Sequence, residues 1–205
     1  MSPGRIALMD HRLALLVAVI ACGGENTPQP NRDANANTTT AAPAPPSPSP
    51  VPSQDSGVAG TTAVTHRARP GAPQAALRAV EATAQPGYDR VVFEFAGDSV
   101  PGYHVEYAPA TMTVRRCGSG DPVTVQGAGR LIVRFEPARA HDDQGQPVVE
   151  RERTLGLPAL TEMKLICDFE GQVEFVLGVT AATVPSRVST QGPPARIVLE
   201  VRHAP

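Results

Sequence analysis

The stretch Thr161–Val179, TEMKLICDFEGQVEFVLGV, constrains this chain more than any other. Its first arm alternates Met163, Leu165, Cys167 and Phe169 with Glu162, Lys164, Ile166 and Asp168. Its second alternates Val173, Phe175 and Leu177 with Gln172, Glu174 and Val176. A period of two turns one set towards a core and leaves the other near water. Gly171 stands where the chain must reverse, and glycine tolerates the positive φ of a tight hairpin. Facing apolar pairs across such a hairpin make it a natural sheet centre.

The same alternation runs through the C-terminal two thirds. Leu77–Thr83 reads as a strand stopped by Gln85-Pro86-Gly87, and Tyr88–Phe95 places Val91, Phe93 and Phe95 on one face. Tyr103, Val105 and Tyr107 form a third strand. Met112–Arg115 and Val123–Gln126 read as short strands, and Arg130–Glu136 turns Leu131, Val133 and Phe135 inward. Pro137–Pro158 is irregular. Val184–Thr190 is a weak strand, and Ile197, Leu199 and Val201 alternate in the last one. No stretch has a helical period. Short alternating strands with frequent Gly and Pro stops predict an all-β domain, an antiparallel β-sandwich or barrel.

The N-terminal part is built differently. All eight aromatic residues lie at or after Tyr88, while half of the 22 prolines fall at or before Pro73. Residues 23–74 include the run Thr38-Thr-Thr-Ala-Ala-Pro-Ala-Pro-Pro-Ser-Pro-Ser-Pro-Val-Pro52. Such a Pro/Ala/Thr/Ser-rich linker buries too little apolar area to offset the entropy of ordering it, so a disordered tether is expected. Its proline-rich portion favours extended polyproline II. At full stretch, about 50 residues reach on the order of 170 Å. Before it, Arg5 and Arg12 flank a short n-region, and the apolar run Leu13–Ala21 that follows has the length of a signal-peptide core and is too short to span a bilayer. Val19-Ile20-Ala21-Cys22-Gly23-Gly24 resembles a bacterial lipobox, which implies cleavage before Cys22 and lipidation of its thiol. The start is Met1 or Met9. Three parts follow: a signal peptide over 1–22, a tether over 23–74 and a folded domain over 75–205.

Several motifs of that domain, in order, carry a resemblance. They are Gly87-Tyr-Asp-Arg-Val-Val-Phe-Glu-Phe95, Pro101-Gly-Tyr103 with Val105-Glu-Tyr107, the Ala138–Asp143 segment, Cys167-Asp-Phe-Glu-Gly171 and Pro194-Ala-Arg-Ile-Val-Leu-Glu-Val201. Together they resemble an AMIN-like domain across roughly Ala76–Ala204, a family found in exported bacterial lipoproteins. The resemblance implies a β-sandwich that attaches to the envelope or binds the cell wall (peptidoglycan), and it brings no catalytic residues.

Candidate chemistry is sparse. His141, Asp142 and Asp143, with Asp168 and Glu170, supply oxygen ligands of the kind calcium takes. They lack EF-hand spacing, and Asp-Asp-Gln-Gly is ordinary turn chemistry, so neither a metal nor another cofactor is expected. Asp168-Phe169-Glu170-Gly171 lacks the framework of a kinase motif, and Gly118-Ser119-Gly120 that of a nucleophile elbow. His104 and Glu106 share a strand face and can hydrogen-bond a sugar. Arg115, Arg116, Arg130 and Arg134 offer bidentate contacts to wall carboxylates. From Gln74 on, 13 Lys+Arg face 16 Asp+Glu, a net of −3, which provides no field for nucleic acid.

With Cys22 committed to lipid, Cys117 and Cys167 remain as an even pair in an oxidising compartment, and a disulfide between them is expected. Cys167 is in phase with the core set. Cys117 faces the opposite way if it continues Met112 and Val114 without a bulge, so the match of the two side chains is left open. The leading functional reading is a non-catalytic lipoprotein, exported and lipid-anchored to the periplasmic or surface face of a bacterial membrane, whose domain binds peptidoglycan or an envelope protein. The alternative is a solute- or ion-binding lipoprotein that presents its ligand to a transporter or sensor. A deep apolar pocket would favour the second, and a flat polar sheet face the first.

Overall fold

Alternation every second residue becomes eleven strands in the computed structural model, which describes residues 59–205. They are β1 (Thr65–Arg67), β2 (Ala75–Gln85), β3 (Tyr88–Phe95), β4 (Gly102–Tyr107), β5 (Gly129–Glu136), β6 (Ala138–Arg139), β7 (Glu152–Thr154), β8 (Leu160–Phe169), β9 (Gln172–Val179), β10 (Ser186–Gln191) and β11 (Arg196–Arg202). One sheet has six strands in the order β1-β4-β5-β9-β8-β7 and the other five in the order β10-β11-β3-β2-β6. All pairings are antiparallel except β2 with β6. The domain is the expected all-β sandwich.

Between the sheets the alternating residues meet. Val105, Leu131, Val133, Phe135, Phe175, Leu177 and Leu165 come from the six-stranded sheet; Leu77, Val91, Phe93, Phe95, Ile197, Leu199 and Val201 come from the other. Phe93 contacts Phe135 and Phe175 with ring centroids 4.8 and 5.4 Å apart, and Phe95 lies edge-on to Phe135 at 5.3 Å. Each such pair adds about 0.5–1.5 kcal/mol to what its burial already contributes.

The β8–β9 hairpin, expected at the sheet centre, puts β9 there beside β5, while β8 lies next to the edge strand β7. The hairpin's two-residue turn, Glu170-Gly171, has φ of 50° and 80°, the doubly positive combination that matches the twist of hairpin strands. Two bulges in β8 correct the simple alternation. Pairing shifts between Leu160 and Met163, and again between Leu165 and Cys167. Each inserts one residue and re-aims those that follow. Cys167 therefore pairs with Glu174 on the outer face instead of joining Met163 and Leu165 in the core. Phe169 ends 59% exposed. Ile166 and Val176, expected near water, are buried on the outer face with Val114 and Ile132.

The cover of that second cluster is the β4–β5 connection. Met112–Arg115 and Val123–Gln126 are not strands; a single bridge, Arg115 to Pro122, joins them. Their apolar side chains are spent on the sheet face below: Val114, Val123 and Val125 pack over Ile132, Ile166 and Val176. The chain before β2 also departs from expectation. Residues 59–74, assigned to the tether, are folded onto the domain: Thr61 bridges Ser186 of β10, and β1 pairs with β4. They join the edge of one sheet to the edge of the other. The signal peptide, Cys22 and the rest of the tether lie outside the described residues.

One carboxylate ties the sheets together. Asp89 on β3 is fully buried and accepts from Ala159 N at 2.7 Å, Leu160 N at 2.8 Å and His203 Nε2 at 2.9 Å. Tyr107 adds a second tie, its hydroxyl donating to Val184 O at 2.9 Å and accepting from Val184 N at 3.2 Å. Burial raises the Tyr107 pKa, with the bond to Val184 O opposing the shift. Removing the acceptor of a buried charge-assisted network leaves its donors unsatisfied. Asp89→Ala is expected to cost about 3–5 kcal/mol and Asp89→Asn less, since the amide keeps one acceptor oxygen. Urea midpoints measure this; a loss below about 1 kcal/mol for Asp89→Ala would show that the carboxylate holds nothing.

Candidate functional site

On the outer face of the six-stranded sheet the register lines up one cross-strand row. His66 pairs with His104, His104 with Arg134 and Arg134 with Glu174. Residues two apart on a strand share a face, so Gly102 and Glu136, themselves paired, stand beside this row. Past β1 the chain turns back over Gly102. A Cβ there would meet Glu136 O at 2.7 Å, Arg67 O at 2.8 Å and Arg69 N at 3.0 Å, so only glycine lets the 67–72 segment pass. Arg69 pins that segment through Nη1 to Ser99 Oγ at 3.0 Å and Val100 O at 2.8 Å.

Between segment and row lies an open cleft of about 520 Å³. Ala68, Pro70, Ala72 and Pro137 give it apolar wall; His66, His104, Arg134 and Glu136 give it polar groups. The two imidazoles lie 6.3 Å apart, tilted by 40°. His104 Nε2 is 3.3 Å from Glu106 Oε2. Arg134 Nε donates to Glu174 Oε2 at 2.7 Å, and Gln172 Nε2 donates to the same oxygen at 3.3 Å.

The other arginines singled out in the sequence serve the fold. Arg115 Nη1 donates to Gly120 O at 2.8 Å. Arg116 donates to Leu165 O at 3.2 Å and pairs with Glu152. Arg130 Nη2 donates to Pro109 O and Ala110 O, both at 2.9 Å. Arg134 alone of the four faces the cleft. His104 and Glu106 do share the outer face of β4, and it is His104 that reaches the cleft.

The acidic cluster is turn structure. Asp142 Oδ1 accepts from Gln144 N at 2.9 Å and Gln146 N at 2.8 Å, and Asp143 pairs with Arg139 at 2.8 Å. Asp168 accepts from Ala140 N and His141 Nδ1, both at 2.9 Å. Among the described residues no group of three His, Cys, Asp or Glu is placed to hold a metal ion.

Cys117 and Cys167 form a disulfide with Cα atoms 5.1 Å apart. The bulge that turns Cys167 outward brings it under Cys117, which answers the question of orientation left by the alternation. Cys117 N also donates to Ile166 O at 3.0 Å, so bond and bridge fasten the β4–β5 cover beside the cleft. Sequence reasoning missed His66 and Arg69, because a proline-based boundary put them in the tether. The β-branched Thr61, Thr62, Val64 and Thr65 just before Pro70-Gly71 were the signal of a strand there.

A family model for the AMIN-like domain matches residues 75–203. The chain belongs to the AMIN-like domain family. Compared with curated proteins and with solved structures, it finds no match. AMIN-like domains are non-catalytic binding domains of bacterial envelope and periplasmic proteins, and membership points to a peptidoglycan- or envelope-associated role. The matched span begins at β2, so β1 and the 67–72 wall of the cleft lie just outside it.

The disulfide closes a separation of 50 residues, worth about 4 kcal/mol at most in the loop-entropy account. Unfolded without reductant, Cys117 and Cys167 are expected to give no free thiol in a thiol titration. Reduction is expected to lower the urea midpoint; two free thiols from these positions would refute the bond.

Proposed function

We propose that this chain is a non-catalytic envelope lipoprotein that binds the cell wall through its AMIN-like domain. The signal peptide is removed, Cys22 carries the lipid, and the tether lets the domain reach from the membrane surface towards the wall. The observation that carries the reading is the open cleft on the outer face of an AMIN-like domain. Its basic and imidazole groups suit wall carboxylates, and its apolar wall suits the faces of sugars. The cleft is a groove along a polar sheet face, not a deep apolar pocket, which favours a wall or envelope-protein surface over the enclosed capture of a solute.

Two measurements test this. The full chain is expected to be retained on purified sacculi at low salt without releasing soluble muropeptides. Loss of retention would turn the reading towards an envelope protein, and released muropeptides would overturn its non-catalytic half. Separately, Cys22→Ser is expected to move the protein from the detergent phase to the aqueous phase; unchanged partitioning would remove the lipid anchor.

A further inference from the structure

The cleft holds two opposite charges two residues apart on one strand: Arg134, paired through Nε with Glu174, and Glu136. Arg134 and Glu136 are i and i+2 on β5, so both leave the outer face, with Cα atoms about 6–7 Å apart. Glu174, across on β9, holds Arg134 by Nε alone, and among the described residues its two Nη groups have no partner. The Glu136 side chain is exposed and likewise takes no hydrogen bond or ion pair among the described residues. Arg134 is thus oriented by a neighbour across the sheet, and the neighbour along its own strand is left unneutralised. His104 stands on the other side of Arg134, with His66 beyond it.

A ligand that satisfies both charges at once carries a carboxylate and an ammonium close together. We propose that the cleft is a subsite for a zwitterionic amino-acid head group, with its carboxylate on the Nη fork of Arg134 and its ammonium on Glu136. His66 and His104 flank the carboxylate as imidazole donors. This rests on the wall-binding reading and narrows it. In a wall peptide the matching chemistry is the free end of a diamino-dicarboxylic residue, which bears an ammonium and a carboxylate on one carbon. Cross-linking converts that ammonium to an amide and removes the charge that Glu136 would meet. The domain therefore selects uncross-linked stem peptides over cross-linked ones.

The probe is 2,6-diaminopimelate, titrated into the full chain carrying Cys22→Ser, with the His66 and His104 imidazole resonances followed by NMR. The free acid is expected to shift both resonances and to bind about tenfold more tightly than its N,N′-diacetyl form, the factor that one charge-assisted hydrogen bond confers. Glu136→Gln is expected to abolish that preference. Arg134→Lys, which keeps the pair with Glu174 but loses the fork, is expected to weaken binding about tenfold. Thermal unfolding of each variant confirms that it folds. Equal affinity for the free and acetylated probes, or no shift of either histidine, would overturn the subsite. Retention on sacculi in the absence of probe binding would leave the wall reading standing without this subsite. Probe binding without retention on sacculi would do the reverse.

Discussion

Asp89 is the constraint on which the sandwich depends. Apolar burial brings two sheets together but does not fix how they meet, because it is non-directional. A buried carboxylate is directional, and it is stable only where donors converge on it. Asp89 leaves β3 in one sheet and takes the backbone of Ala159 and Leu160 where β8 enters the other. His203 closes the set after the last strand. The start of the β8–β9 hairpin is thereby fixed over the five-stranded sheet, and the rows of residues along the outer face inherit their positions from it.

From that anchor the outer face divides in two. Ile166 is the extra residue at the second bulge of β8, and with Val176 it puts apolar surface where water would otherwise be. The β4–β5 connection covers it, fastened by the disulfide and by Lys164 Nζ to Thr124 O at 2.9 Å. At the β1–β4–β5 end, among the described residues, only the 67–72 segment passes over the sheet, and it leaves open the cleft where His66, His104, Arg134 and Glu136 stand in the register row and beside it. One half of the face is a second small core, and the other is a groove that a ligand can enter.

Strand identity was legible wherever alternation was unbroken: Tyr88–Phe95, Arg130–Glu136 and Arg196–Arg202 appear almost as read. What misled were the places where one inserted residue or one covering loop changed the meaning of a pattern. A bulge is invisible to a period-two reading, which aims Cys167 and Phe169 at the core when both leave it. Val114 and Val123 alternate as strand residues do, yet they cover a sheet face from a loop. The candidate site was legible in part. Alternation with Leu131, Val133 and Phe135 turns Arg134 outward, and alternation with Tyr103 and Val105 sets His104 on the opposite face of its strand, but nothing in the sequence says that Arg115, Arg116 and Arg130 bind a backbone carbonyl or a nearby acid. The cleft itself depends on β1, a three-residue strand pairing across some 40 residues of sequence, which local patterning cannot announce.

Charge explains what kind of recognition such a groove can perform. With 15 Lys+Arg against 16 Asp+Glu over residues 59–205, a net of −1, the domain has no field to draw an anionic polymer from a distance. At physiological salt, exposed charges beyond about 8 Å are largely screened in any case. Discrimination must then come at contact, from the direction of the Arg134 fork and its separation from Glu136, and not from the sum of charges. Contacts of that kind on an exposed surface are individually weak. On the proposed reading, a wall presents the same head group many times, and a domain held near it rebinds at high effective concentration. A shallow, charge-matched groove is therefore sufficient for a tethered domain, whereas a freely diffusing one would require the deep pocket that this fold does not build at its cleft.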